Sequence, residues 1–154
     1  MKKTIKVICT LLMCFTLVGC KQTIDSTRKI DYSEVEISNV EADKKLIDKA
    51  DDIYDKNYKK TENNTEKQVV VVKYLDDIYQ IASNRVSLDL DILDAFSDEY
   101  ENYIATMQAY SEVYLKEKEE LVANSKLIDK ADISTTNSGK MLAIVEDTIE
   151  DFLK

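Results

Sequence analysis

The chain has 154 residues, with 21 lysines and arginines against 30 aspartates and glutamates, for a formal net charge of −9. It holds two glycines and three cysteines and no histidine, proline or tryptophan. That inventory excludes histidine general bases, Ser/His/Asp and Cys/His nucleophilic centres and glycine-rich phosphate loops. So acidic a surface also argues against nucleic acid as a partner.

The chain opens MKKTIKVICTLLMCFTLVGC, with Lys2, Lys3 and Lys6 ahead of an apolar run from Val7 to Val18 that no acidic residue interrupts. A charged start followed by an apolar run too short to span a bilayer predicts an export signal. Its end, Leu17, Val18, Gly19 and Cys20, resembles the lipobox of bacterial lipoproteins. The resemblance implies cleavage between Gly19 and Cys20 and lipidation of Cys20. It further implies attachment to the membrane through an N-terminal diacylglycerol, on the extracytoplasmic face of the cell membrane. Two acyl chains hold a protein stably where one holds it marginally.

Residues 1–19 are then the signal peptide, residues 20–37 the lipidated N-terminus and flexible tether, and residues 38–154 one domain of modest core. Loss of the three signal lysines takes the net charge from −9 to −12. Cys9 and Cys14 leave with the signal and Cys20 is acylated, so the mature part carries no thiol for a disulfide, a nucleophile or a metal site. Within the tether, KQTIDSTRKID is polar and aperiodic. YSEVEISNV alternates, and reads as the lead-in to a helix because no convincing second strand exists to pair with it.

Helix one is predicted over about residues 39–60, with Val40, Leu46, Ile47, Ala50, Ile53, Tyr54 and Tyr58 on one stripe. TENNTEKQ supplies a break and a capping box in which Thr65 starts helix two, three residues before Gln68. Helix two directs Val71, Tyr74, Leu75, Ile78, Ile81 and Ala82 to the core. Its VVVV run at Val69 to Val72 is made of β-branched side chains that prefer strands, but YLDDIYQIA continues the helical period. VSLDLDI at Val86 to Ile92 alternates like a strand and leaves the start of the next helix open.

The longest regular signal is Leu93, Phe96, Tyr100, Tyr103, Met107, Tyr110 and Tyr114, whose alternating spacings of three and four are those of a helix packed along a partner. Its charged end, KEKEE at residues 116–120, reads as a solvated face. The stretch STTNSGKM at Ser134 to Met141 approaches a phosphate-loop pattern but has serine and methionine where glycine and a hydroxyl residue are required. It reads as a loop ending at a helix start. A last helix from about Gly139 to Lys154 aligns Leu142, Val145, Ile149, Phe152 and Leu153. Four amphipathic segments with short polar links predict an all-α, small antiparallel helical bundle.

KLIDKAD occurs twice, at residues 45–51 and 126–132. Each copy is expected to bury Leu46, Ile47 and Ala50, or Leu127, Ile128 and Ala131, and to leave its lysines and aspartates in water. Tyr100, Tyr103, Tyr110 and Tyr114 are the candidate interaction surface, because tyrosine joins an apolar face to a polar tip. The competing reading of this stripe is core. Asp89, Asp91 and Asp94, and the DDIY doublets at residues 51–54 and 76–79, lack the turn glycine of a calcium loop and read as solvated faces. No catalytic residue, metal or cofactor is expected. The functional expectation is a membrane-anchored, non-enzymatic surface lipoprotein acting through a protein partner or as a homo-oligomer, in an immunity, exclusion or accessory-subunit type of role. The alternative is a small-solute or cation-binding lipoprotein serving a transporter.

Overall fold

The computed structural model describes residues 31–123 and 133–154. The signal peptide, the Gly19/Cys20 site, the tether up to residue 30 and the second KLIDKAD copy lie outside the described residues. Four α-helices follow in order: α1 Tyr32–Lys60, α2 Asn64–Asp89, α3 Asp98–Ala123 and α4 Asn137–Phe152. A 3₁₀ helix, Leu90–Ala95, joins α2 to α3, and a second, Ile133–Thr135, precedes α4. No strand occurs among the described residues, and the all-α bundle is the observed fold.

The helix boundaries correct the sequence expectation in three places. First, α1 begins at Tyr32, so residues 32–37 are helix and not tether. The Asp31 carboxylate accepts from the backbone N–H of Ser33 at 3.2 Å and from its hydroxyl at 2.6 Å, capping the first turn. Second, α2 is capped by Asn63, whose side-chain oxygen accepts from the N–H of Glu66 at 2.9 Å, and not by Thr65. Third, α3 begins at Asp98, which leaves Leu93 and Phe96 in the preceding connection.

Both strand-like stretches are helical. Four consecutive valines cover every side of a helix, so Val71 is fully buried, Val70 and Val72 pack against the core, and Val69 stands outward. In VSLDLDI the alternation runs the reverse way from a half-buried strand: Leu88, Leu90 and Ile92 are exposed, while Asp89 is inside.

Each helix packs on its neighbour in chain order, and α4 returns to α1, closing a ring of four. The two ends are marked by ring contacts. Tyr32 meets Phe96 edge-on with ring centroids 5.5 Å apart, and at the opposite end Lys67 lies over the Tyr58 ring. The core is unusually phenolic. Tyr100, Tyr103, Tyr110 and Tyr114 are all fully buried. Tyr54 stacks on Tyr74, and Phe152 of α4 reaches Tyr100. Aromatic side chains of this size bury roughly 150–250 Å² each, which supplies much of the core of a small domain.

Candidate functional site

The four tyrosines offered as an interaction surface are not one. Their three-and-four spacing turns the whole stripe toward α2, α1 and α4, and no part of any of the four reaches solvent. Each hydroxyl finds an acceptor inside the bundle. Tyr100 donates to Asp89 Oδ2 at 2.6 Å and Tyr103 to Asp43 Oδ2 at 2.7 Å. Tyr110 donates to the Leu75 carbonyl at 2.9 Å and Tyr114 to Asp76 Oδ1 at 2.8 Å. Burial is the first cause pushing all four phenols well above the ordinary tyrosine range.

These bonds lead to the most concentrated chemistry in the molecule, a buried Asp43–Arg85–Asp89 triad. Arg85 Nε donates to Asp43 Oδ2 at 2.6 Å and Nη2 to Asp43 Oδ1 at 3.1 Å, a two-pronged pairing between α2 and α1. Its Nη1 reaches Asp89, one turn on, at 3.2 Å. Asn39 Nδ2 donates to the Tyr100 hydroxyl at 2.9 Å and more loosely to Asp89 at 3.4 Å. Two carboxylates and one guanidinium leave a residual negative charge, which the tyrosine hydroxyls and the Asn39 amide stabilise by donation. Desolvation works against the charge on Arg85, but the two aspartates outweigh it together and hold its pKa above the ordinary value. These bonds tie three helices together, joining Asn39 and Asp43 of α1, Arg85 and Asp89 of α2, and Tyr100 and Tyr103 of α3.

Two further carboxylates act at a distance as helix caps. Glu36 of α1 accepts from the Ser97 N–H at 2.8 Å and from its hydroxyl at 2.9 Å, at the start of α3. Glu117 of α3 accepts from the N–H groups of Asn137 and Ser138 at 2.9 and 2.7 Å and from the Ser138 hydroxyl at 2.6 Å, at the start of α4. An anion there satisfies orphan donors and meets the positive end of the helix dipole. Gln68 does the converse, donating to the carbonyls of Leu121 and Val122 at 2.7 and 2.9 Å near the end of α3.

The acidic doublets are also more than solvated faces. Asp51 accepts from the Tyr74 hydroxyl, and Asp76 takes both Tyr114 and Lys118, the latter at 2.9 Å. Asp89 is buried in the triad; Asp91 and Asp94 are exposed. Glu117 and Lys118 of KEKEE likewise face other helices. Among the described residues no group of three or more acidic or thiol side chains is disposed to hold a metal ion, and no helix is long and apolar enough to cross a membrane.

Asp51 has a measurable consequence. Desolvation raises its pKa, the carboxylates of Asp48, Asp55 and Asp52 add to the rise, and the Tyr74 hydroxyl opposes it. A carboxylate whose folded-state pKa exceeds its unfolded value favours folding most when protonated in both states, and that contribution is lost as pH rises through the folded pKa. Asp51→Asn, which keeps an acceptor for Tyr74, should therefore be more stable than wild type near neutral pH. The gain should vanish below the ordinary aspartate value of about 3.9. Urea midpoints of both proteins across this range check it; a variant weaker than wild type at neutral pH would show that the charge itself is needed.

The first KLIDKAD copy divides its apolar residues. Ile47 and Ala50 are buried as expected, whereas Leu46 is 49 % exposed, because the stripe of α1 runs through positions 40, 43, 47, 50 and 54 and bypasses it. Ile53 is bypassed in the same way. Between α2 and α3, Thr65, Gln68, Val69, Val72, Lys73, Asp76, Lys118 and Val122 line an open groove of about 480 Å³.

Comparison with protein-family models, curated proteins and solved structures gives no match for this chain. The residues that organise the interior, Glu36, Asp43, Gln68, Arg85 and Glu117, were missed by sequence reasoning that followed apolar letters alone. A signal for three of them was present in the register. Asp43 falls in step between Val40 and Ile47, and Gln68 and Arg85 fall in step with Val71, Leu75, Ile78 and Ala82. Arg85 is also one of only two arginines in a chain that otherwise uses lysine.

Proposed function

We propose that the mature chain is a lipid-anchored protein held at the extracytoplasmic face of the cell membrane, with a bundle that acts by contacting another protein and not by catalysis. The observation that carries this reading is the Leu17-Val18-Gly19-Cys20 sequence behind a lysine-rich start and an apolar run. The internal pairing of the buried carboxylates, guanidinium and phenols supports it, since the strongest chemistry in the bundle is spent on cohesion. Only ten residues separate Cys20 from Asp31, so a lipid on Cys20 stays within roughly 40 Å of the start of α1. The bundle then works close to the membrane and meets partners there. A net charge of −12 on the mature part disfavours its lying on anionic lipid.

Cys20→Ala, or inhibition of the lipoprotein signal peptidase by globomycin, should leave precursor of higher mass. In the Cys20→Ala protein, labelling with a radioactive fatty acid should be lost. Normal processing and acylation of the variant would overturn the assignment.

A further inference from the structure

The four joints of the helix ring are not built alike. α1 and α2 are joined by the Asp43–Arg85 pairing and by the Tyr74 hydroxyl donating to Asp51. α2 and α3 are joined by Tyr114 and Lys118 on Asp76 and by Gln68 on the carbonyls of Leu121 and Val122. α3 holds α4 near both ends, through Glu117 at its first turn and through Tyr100 and Tyr103 against Phe152 at its last. α4 packs far less on α1 than on α3. Between α1 and α4, Ile47 and Ile149 lie in a crevice of about 170 Å³ that is otherwise lined by charged side chains.

Those charges are one-sided. Asp48 of α1 and Glu146 and Glu150 of α4 meet the ammonium of Lys44, which is bonded to Asp48 at 3.2 Å. Asp51 follows Asp48 by one turn of α1, half-buried, and its charge reaches Glu146 at the solvent edge of α4. Asp52 and Asp55 of α1 and Asp147 of α4 add negative charge on either side. α2 contributes the Tyr74 hydroxyl, a donor without charge, while Lys73 of the same helix pairs with Asp77 at 2.8 Å. α3 contributes the phenol of Tyr110, behind Tyr74. Carboxylates gathered at a joint short of cations repel one another and lose part of their hydration, so closure favours their protonated forms. Asp51 and Glu146 both lie above the ordinary carboxylate range, through desolvation first and the neighbouring carboxylates next; Tyr74 opposes the rise at Asp51 and Lys44 opposes it at Glu146.

We infer that the α1/α4 joint is a proton-operated seam, in which α4, held to α3, closes on α1 when Asp51 and Glu146 carry protons and loosens from it as they ionise. A carboxylate that holds its proton more tightly in the closed seam stabilises closure fully below its ordinary value, and that contribution is lost as pH rises through its value in the closed seam. Asp76, at the α2/α3 joint, behaves in the opposite sense. Lys118 holds it below the ordinary range, so acid weakens that joint while it tightens the seam. The seam belongs to the bundle and operates whether or not Cys20 carries lipid.

Hydrogen exchange reads such local opening directly. It should be followed on the full-length protein in neutral detergent, corrected for intrinsic rates, from about pH 4.5 to about pH 7.5, a range above the ordinary aspartate and glutamate values of about 3.9 and 4.3. Protection across residues 142–149 of α4, divided by that across residues 71–82 of α2, should fall as pH rises. In the double variant Asp51→Asn with Glu146→Gln, whose amides stay neutral, the ratio should keep its acid level throughout. Glu146→Gln alone, at an exposed position, should remove part of the fall. Asp91→Asn, an exposed carboxylate outside the seam, should leave the wild-type trend unchanged. A wild-type ratio that is flat or rises with pH overturns the inference. So does a fall that survives undiminished in Glu146→Gln or in the double variant, or one that Asp91→Asn abolishes equally, since overall charge would then be its cause.

Discussion

Arg85→Ala should destabilise the bundle by about 3–5 kcal/mol, because it leaves two buried carboxylates facing each other without their cation. Asp43 and Asp89 are nearly solvent-free, and the remaining donors, Tyr103 to one and Tyr100 and Asn39 to the other, carry no positive charge. Domains of this size are stable by only about 5–15 kcal/mol. At roughly 1–3 kcal/mol per molar urea, the midpoint should therefore fall by about 2 M. Arg85→Lys should lose less than alanine but still be clearly weakened, since an ammonium on a single stem cannot reproduce the planar fork that holds Asp43 at two points and Asp89 at a third. A triple variant, Asp43→Leu with Arg85→Met and Asp89→Leu, should lie closer to wild type than Arg85→Ala does, because no charge is left uncompensated. Tyr100 and Tyr103 both lose their acceptors in that protein, while Tyr100 still accepts from the Asn39 amide. Urea titrations of the four proteins followed by far-UV circular dichroism decide the matter. An Arg85→Ala midpoint equal to wild type would mean that the triad contributes nothing to cohesion.

The second large effect is expected at Gly139, one of two glycines in the chain. Its φ is not positive, so conformational freedom is not what the position requires; space is. A Cβ there would collide with the carbonyl oxygen of Ile133 and come within 2.6 Å of the carbonyl carbon and 2.9 Å of Cγ2. That carbonyl is fixed in place, accepting from the Thr136 N–H at 3.1 Å and from the Thr136 hydroxyl at 2.7 Å. The same Thr136 hydroxyl oxygen accepts from the Gly139 N–H at 2.9 Å as the cap of α4. Gly139→Ala must therefore peel the Ile133–Thr135 turn from the helix and break its cap together with it. Overpacking costs about 1–3 kcal/mol and loss of a cap about 1 kcal/mol more. The alanine gain in helix propensity, about 1 kcal/mol, offsets only part of this. Hydrogen exchange should show lost protection in the first turns of α4, with a lower urea midpoint. A variant as stable as wild type would show that the turn yields without cost.

Gly139 illustrates how far sequence reasoning reached. The stretch around it reads in the sequence as a loop ending at a helix start near Gly139, and α4 begins there two residues earlier, at Asn137. The need for glycine there came from Ile133 folding back against α4, which no local pattern announces. Likewise the tyrosine stripe was legible as one helical face, but its direction was not. A three-and-four spacing of amphipathic side chains suits a core as well as a docking surface, and only the positions of Asp43, Asp89, Asp76 and the Leu75 carbonyl distinguish the two.

The sequence by itself determined the helical class, the number of segments and most of the aliphatic and aromatic core, because helical periodicity is a local property repeated over seven turns in the longer elements. It also determined which chemistries are excluded, since a side chain that is absent cannot act. The roles of the charged residues were decided by tertiary structure alone. Glu36, Asp89 and Glu117 look like any others among 30 acidic residues, and the register that sets Asp43 and Arg85 in step with the core does not say what they pair with. What makes them structural is a partner 42 positions away for Asp43 and Arg85, 61 for Glu36 and Ser97, and 21 for Glu117 and Ser138. A buried charge is tolerable only when such a partner arrives, and its arrival depends on how four helices turn their faces toward one another.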